Sequence, residues 1–190
     1  MNVLLIGPPG SGKGTQGEVL ADRLGLRHIA AGDLLRAEIA AGSDLGRSVQ
    51  DLLDRGALVP DDLMLELVMP AVVDAAAAGG YLLDGFPRTL DQAEQAARWR
   101  SPGQDDELAA PDAVIVLAAD PQTLVTRMLA RGRADDTEEV VRHRLDVYER
   151  ETAPVIAFYR DRGLTHTIDA TMPVAAVSDA ILAELDVPQV

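Results

Sequence analysis

Val3-Leu4-Leu5-Ile6-Gly7-Pro8-Pro9-Gly10-Ser11-Gly12-Lys13-Gly14-Thr15 decides the architecture of this chain. Four apolar residues make a short buried strand, and the glycine-rich turn after them runs into a segment with helical spacing. A strand, a tight turn and a helix N-terminus together present several backbone N–H groups to one point, where the helix adds partial positive charge. Gly10, Ser11, Gly12, Lys13, Gly14 and Thr15 therefore read as a cradle for a polyphosphate. Lys13 is the only lysine, against sixteen arginines, and its compact charge on a flexible stem suits that role. Strand, glycine spacing and lysine agree with the phosphate-loop pattern. One departure is plain: Gly14 follows Lys13 where Ser or Thr is usual. The nearest hydroxyl is Thr15, so hydroxyl coordination of magnesium is left open.

The rest of the chain alternates. Strands are expected at Val3–Ile6, Arg27–Ala30, Tyr81–Leu83, Ala113–Leu117 and Thr165–Ile168. Helices are expected at Lys13–Leu24, Asp33–Ala41, Leu45–Asp54, Asp61–Ala78, after the Pro87-Arg88-Thr89 turn to about Arg100, Pro121–Ala130, Glu138 to about Arg162, and Val174–Leu185. Ser101–Pro111 reads as a polar loop and Arg131–Asp136 as a charged turn. Five short apolar strands separated by helices imply an α/β fold, with a parallel sheet covered on both faces. Pro154 should kink or break the long helix, because proline removes a helical hydrogen bond. No repeat or linker divides the 190 residues, so one domain is expected over 1–190. Leu34–Met69 exceeds an ordinary crossover and is a candidate mobile region.

Composition excludes several classes. Net charge is −14, which disfavours a general nucleic-acid binder. The longest apolar stretch, Ala113–Ala119, is too short to span a bilayer, and Met1 leads at once into strand and loop, leaving no room for a signal peptide. With no cysteine there is no disulfide framework and no thiolate zinc site. A cytoplasmic protein is expected.

Asp84-Gly85-Phe86-Pro87-Arg88 stands at the carboxyl end of the third strand. Open parallel sheets bind ligands beyond the carboxyl ends of their strands, so this turn should face the same crevice as the phosphate loop. Asp84 is suited to hold magnesium through water, or simply to close the turn by hydrogen bonds. Arg88 reads as a ligand for a transferring phosphoryl group.

Four blocks now carry a resemblance: Gly-Pro-Pro-Gly-Ser-Gly-Lys-Gly-Thr-Gln at 7–16, Ala-Gly-Asp-Leu-Leu-Arg at 31–36, Asp-Gly-Phe-Pro-Arg-Thr-Leu-Asp-Gln at 84–92 and Arg-Gly-Arg-Ala-Asp-Asp-Thr at 131–137. In order and spacing, over essentially the whole chain, they resemble the nucleoside-monophosphate kinases, most closely the bacterial adenylate kinases with a short lid. The resemblance implies a P-loop kinase fold with a mobile nucleotide-binding region at about 30–59 and a lid at about 130–137. It implies a monomer that moves the γ-phosphoryl group of ATP to AMP, giving two ADP, with Mg2+ and without zinc. Gly10 to Thr15 would cradle the ATP phosphates, and Arg131 and Met172 would flank its adenine. Arg36 and Arg88 would grip the acceptor phosphate, with Arg133 and Arg144 closing from the lid side. Ala57, Leu58 and Val59 would line one side of the acceptor's base and Gln92 the other, with Ala31, Gly85, Phe86 and Pro87 completing that subsite.

The identity of the acceptor is divided in the sequence. Ala31 stands where adenylate kinases typically have Thr, and Ala-Gly-Asp is the UMP/CMP kinase form. Gln92 suits adenine, since its amide donates and accepts towards the N1 and N6 edge. Thr89-Leu90-Asp91-Gln92 is also a capping box, and Asp33 reads equally as a helix cap or a contributor to the metal's water shell. A UMP/CMP or broad nucleoside-monophosphate kinase and a non-catalytic ATP-binding module are the alternatives. His28, His143 and His166 read as packing or surface residues, because a phosphate nucleophile needs no general base.

Overall fold

The computed structural model describes residues 1–99, 110–132 and 136–186. Residues 101–109 of the expected polar loop and residues 133–135 of the charged turn, Arg133 among them, lie outside the described residues. The strands are β1 (Asn2–Ile6), β2 (Arg27–Ala30), β3 (Tyr81–Asp84), β4 (Ala113–Ala118) and β5 (Thr165–Asp169). The helices are α1 (Lys13–Leu24), α2 (Ala31–Ala41), α3 (Asp44–Asp54), α4 (Asp61–Ala77), α5 (Leu90–Arg98), α6 (Pro121–Arg131), α7 (Glu138–Val147), α8 (Ala153–Arg160) and α9 (Val174–Glu184).

All five strands are parallel, in the order β2-β3-β1-β4-β5. Alternation along each strand feeds two cores, one per face. Val3, Leu5, Leu82, Ile115 and Leu117 pack with Leu20 of α1 and Val177 and Ile181 of α9. Leu4, Ile6, Leu83, Val114 and Val116 pack with Met64 and Val68 of α4, Ala93 of α5 and Val155 of α8. From β1 the chain goes first to β2 and β3 on one side and then crosses to β4 and β5 on the other, so β1 has β3 on one side and β4 on the other and the connections diverge there. Leu5 lies opposite Asp84, so the loop after β1 and the turn after β3 leave the sheet side by side.

The stretch expected as one long helix is divided. A π-turn at Tyr148–Thr152 separates α7 from α8, and Pro154 occupies the first turn of α8. The wider turn absorbs the amide hydrogen bond that proline cannot make. It also places Thr152 beneath the cleft, buried with 7% of its surface exposed.

The helix pair α2–α3 is held close by Gly46. A Cβ built there would lie 2.2 Å from the Glu38 carbonyl oxygen and 2.7 Å from Ile39 Cα. Gly46→Ala is therefore expected to force the helices apart at a cost of about 2 kcal/mol. Thermal unfolding should register this as a melting temperature lower by roughly 4–8 °C; an unchanged melting temperature would contradict the close approach.

Candidate active site

The loop after β1 builds an anion cradle from backbone. Gly10 and Gly12 have φ of 83° and 95°, the left-handed region that favours glycine, and a Cβ at Gly10 would stand 2.8 Å from the Leu124 carbonyl oxygen. Gly12 caps α1 without a side-chain hydrogen bond, and the first turn of α1 holds no acidic residue. The helix's leading N–H groups thus meet neither a side-chain cap nor a carboxylate of that turn, which suits an anionic ligand. Lys13 curls back over the loop, its Nζ donating to Gly7 O at 2.8 Å and Pro8 O at 3.1 Å. Burial lowers its pKa to about 8; nearby Asp84 opposes that shift, and Arg88 and Arg131 add to it.

The turn after β3 fixes Arg88 from three directions. Its Nε donates to Gly85 O at 2.8 Å, its backbone N–H to Gln92 Oε1 at 2.7 Å, and its carbonyl accepts from Thr152 Oγ1 at 2.8 Å. Gln92 is held in turn, donating through Nε2 to Asp61 Oδ1 at 2.7 Å, while Thr89 Oγ1 donates to Asp61 Oδ2 at 2.9 Å. Thr89 also caps α5 by accepting from the Gln92 N–H. The reciprocal arm of the capping box goes to Arg88 N, one residue earlier than the standard pattern. Asp61 and Thr152 were not singled out from sequence, being distant partners whose roles arise only in three dimensions. Thr152→Val should unpair the Arg88 carbonyl at about 1 kcal/mol and lower kcat roughly fivefold by that arithmetic. A kcat equal to wild type would remove Thr152 from the support of Arg88.

On the lid side, Asp136 ties two arginines together. Arg131 Nε and Nη2 reach Asp136 Oδ2 and Oδ1 at 2.9 and 2.8 Å, and Arg144 Nη1 reaches Oδ1 at 3.0 Å. The Asp136 side chain is fully covered. Arg144 Nη2 also points to the Leu53 carbonyl at 3.5 Å, linking α7 to the end of α3. Asp136 appeared in the sequence only as part of a charged turn; an acid three residues beyond an Arg-x-Arg run was the available signal. Arg36 pairs with Asp33 one turn away on α2, both half exposed or more. Such a pair stabilises little and yields readily to a stronger anion.

These elements enclose a cleft of about 1270 Å3, larger than a site for one small ligand requires. Although the chain is strongly acidic, Lys13, Arg36, Arg88, Arg127, Arg131 and Arg144 all line it. Arg127 was missed from sequence; it donates to Ala170 O at 2.8 Å beside Met172. Gly10 to Thr15, Asp84 to Arg88, Ala57, Leu58 and Met172 line the cleft as well. Ala31, Val59 and Gln92 do not: they are buried at 0%, 5% and 2% exposure. The Ala31 methyl lies behind Gly85, 3.8 Å from where a Cβ there would stand. Among the histidines, His28 lines the cleft edge against Gly17, His166 pairs with Glu184 at 2.9 Å and His143 is exposed.

Among the described residues no cluster of three or more acidic or histidine side chains could hold a metal by itself, and no helix is long and apolar enough to cross a membrane. Asp84, at the cleft wall with its Oδ2 3.8 Å from where a Gly14 Cβ would stand, offers one carboxylate beside the phosphate loop. That donor set fits a magnesium ion that keeps its waters and takes its other ligands from nucleotide phosphates.

A family model described as Adenylate kinase matches residues 5–164. An adenylate kinase of Synechococcus sp. strain RCC307 is 48% identical over 184 residues, covering 96% of this chain and 97% of the relative. One from Corynebacterium urealyticum is 45% identical over 186 residues, covering 98% and 99%, and one from Thermobifida fusca is 40% identical over 194 residues, covering 97% and 98%.

Proposed function

This chain belongs to the adenylate kinase family of phosphotransferases, and from that premise we propose that its cleft transfers the γ-phosphoryl group of ATP reversibly to AMP, forming two ADP. The observation that carries the reading is the convergence of Lys13, from the loop after β1, and Arg88, from the turn after β3, on one cleft at the switch point of the sheet. A binding module would need the first cation but not the second.

The acceptor's α-phosphate has a second pKa of about 6 and is mostly ionised at neutral pH, so no side chain has to take its proton. One of its oxygens attacks the γ-phosphorus while the bond to the β–γ bridging oxygen breaks, leaving that oxygen on ADP. The protein's task is alignment and charge neutralisation. The Gly10–Thr15 backbone and Lys13 hold the donor phosphates. Arg88 and Arg36 grip the acceptor phosphate, bidentate geometry being the advantage of arginine. Arg131 and Arg144 exchange Asp136 for phosphate oxygens as the lid closes, with Arg133 joining them. Magnesium, when bound, would supply further charge neutralisation at the donor phosphates, and Asp84 would hold it through its water shell.

The segments at about 30–59 and 130–137 are proposed to close over the nucleotides and exclude water, which would otherwise hydrolyse ATP. Arg131 and Met172 would flank the ATP adenine. Ala57 and Leu58 would pack on the AMP base, with Val59, Ala31, Gly85, Phe86 and Pro87 supporting that wall. Gln92, which does not line the cleft in this arrangement, spends one lone pair and one N–H inside the protein; the remaining pair would meet N6 and N1 of adenine only once the surrounding segment at about 30–59 moves on closure. From the family resemblance alone we also propose a cytoplasmic monomer.

Phosphotransfer with magnesium and ATP against AMP, UMP, CMP and GMP, with products separated, tests the reading. AMP should exceed every other acceptor by at least tenfold in kcat/KM. A pyrimidine preferred over AMP would contradict it, and would give the decision to Ala31 over Gln92.

A further inference from the structure

The ε-amines of this protein are reduced to one. Because sixteen of the seventeen basic side chains are arginines, which stay protonated, reagents that acylate amines can meet only Lys13 and the α-amine of Met1. The ε-nitrogen of Lys13 is oriented by Gly7 O and Pro8 O at 2.8 and 3.1 Å. An ammonium has three N–H bonds, whereas a free amine has two and a lone pair. Loss of one proton therefore leaves N–H bonds enough for both carbonyl contacts and a lone pair directed away from those carbonyls, on a side chain that lines the cleft. The same cleft holds the start of α1, without a side-chain cap, together with Arg88 and Arg131, so an anion is attracted to the nucleophile's side. Burial lowers the Lys13 pKa to about 8 against Asp84, with Arg88 and Arg131 assisting. At neutral pH more of the side chain is then free amine than for an ordinary lysine.

We propose that Lys13 is an acylation site for acyl phosphates, which dock their phosphate in the loop after β1 and transfer their acyl group to Nζ. In this step the neutral amine attacks the carbonyl carbon and forms the C–N bond. The bond from that carbon to the bridging oxygen breaks, its electron pair leaves with phosphate, and the departing phosphate takes the proton released from nitrogen. The products are an amide at Lys13 and inorganic phosphate, and no further reactant is required. The amide has no charge and one N–H, so it cannot neutralise a transferring phosphoryl group. A single modification would switch the enzyme off, while the arginine-only surface would take up no acyl groups. The inference rests on reading the loop as a phosphate site, but not on which nucleotide is the acceptor.

Acetyl phosphate is the probe, used on the full chain and on an Arg150→Lys variant. Arg150 is two-thirds exposed and pairs with its neighbour Glu151, so the substitution supplies an ordinary surface lysine as an internal standard. Acetylation is followed by intact mass and peptide mapping, and phosphotransfer is assayed in parallel. Lys13 should be acetylated at least tenfold faster than the introduced lysine, saturating inorganic phosphate or ATP should slow it at least tenfold, and activity should fall in step with the adduct. N-hydroxysuccinimidyl acetate, which carries no phosphate to dock, should show a clearly smaller preference for Lys13 over the introduced lysine. Acetylation confined to Met1 and the introduced lysine, or Lys13 acetylation indifferent to phosphate, would overturn the proposal. A phosphate-sensitive Lys13 adduct that leaves transfer undiminished would support the site and contradict the role of Lys13 in transfer.

Discussion

Arg88→Ala should lower kcat for phosphoryl transfer by roughly a thousandfold, the effect of removing an arginine that neutralises charge on a transferring phosphoryl group. The Kd for ATP should stay within about threefold of wild type, because the donor phosphates are held by the Gly10–Thr15 backbone and Lys13 rather than by Arg88. The size of the kinetic effect follows from how the residue is held. Arg88 is anchored through its Nε, its N–H and its carbonyl to Gly85, Gln92 and Thr152, so its guanidinium enters the cleft in a set orientation and loses little freedom in the transition state. Burial works against its charge and Asp84 supports it, which makes a negatively charged ligand a natural partner. Steady-state kinetics with equilibrium ATP binding separates the two quantities. A rate within tenfold of wild type, or an ATP affinity that collapses with the rate, would remove Arg88 from its assigned place.

Lys13→Gln should cost about a hundredfold to a thousandfold in kcat, as expected for losing one preorganised charge at the reacting centre. It should also weaken ATP binding, which Arg88→Ala should not. Lys13 carries a pH signature as well. With the free-enzyme pKa lowered to about 8, the ammonium dominates below that pH and the neutral amine above it. The kcat/KM for ATP should therefore decline as pH rises through about 8. Lys13→Arg keeps its charge throughout that range and should lose the decline even though its bulkier head lowers the absolute rate. A wild-type profile flat to pH 9.5 would contradict the assignment.

Much of the architecture was legible because apolar runs such as Leu82-Leu83 and Val114-Ile115-Val116 are too short for helices and alternate with helical spacing. The phosphate loop was legible for the same local reason: a glycine turn between a strand and a helix has few other uses when a lysine follows it. What could not be read depended on distance along the chain. Asp61 meets Gln92 across 31 residues, and Thr152 meets Arg88 across 64. Neither residue type is unusual where it stands, and only the packing of α4 and α8 against α5 brings them together. Pro154 announced an interruption, but not that the interruption would be a π-turn placing a hydroxyl under the cleft. Asp136 read only as one acid of a charged turn; its burial arises when Arg131 and Arg144 converge on it from two helices. Gln92 drew both of its readings, cap and base contact, from local pattern and resemblance. Its bonds to Asp61 and Arg88 added a third role that neither source contained.

The most direct test is the stoichiometry of a single reaction. The purified protein is mixed with ATP, AMP and magnesium, and ATP, AMP, ADP and inorganic phosphate are followed together by phosphorus NMR. Two ADP should appear for each ATP and AMP consumed, without release of inorganic phosphate, and chelation of magnesium should stop the exchange. ATP loss matched by inorganic phosphate with AMP untouched, or no loss of ATP at all, would contradict phosphoryl transfer in this cleft.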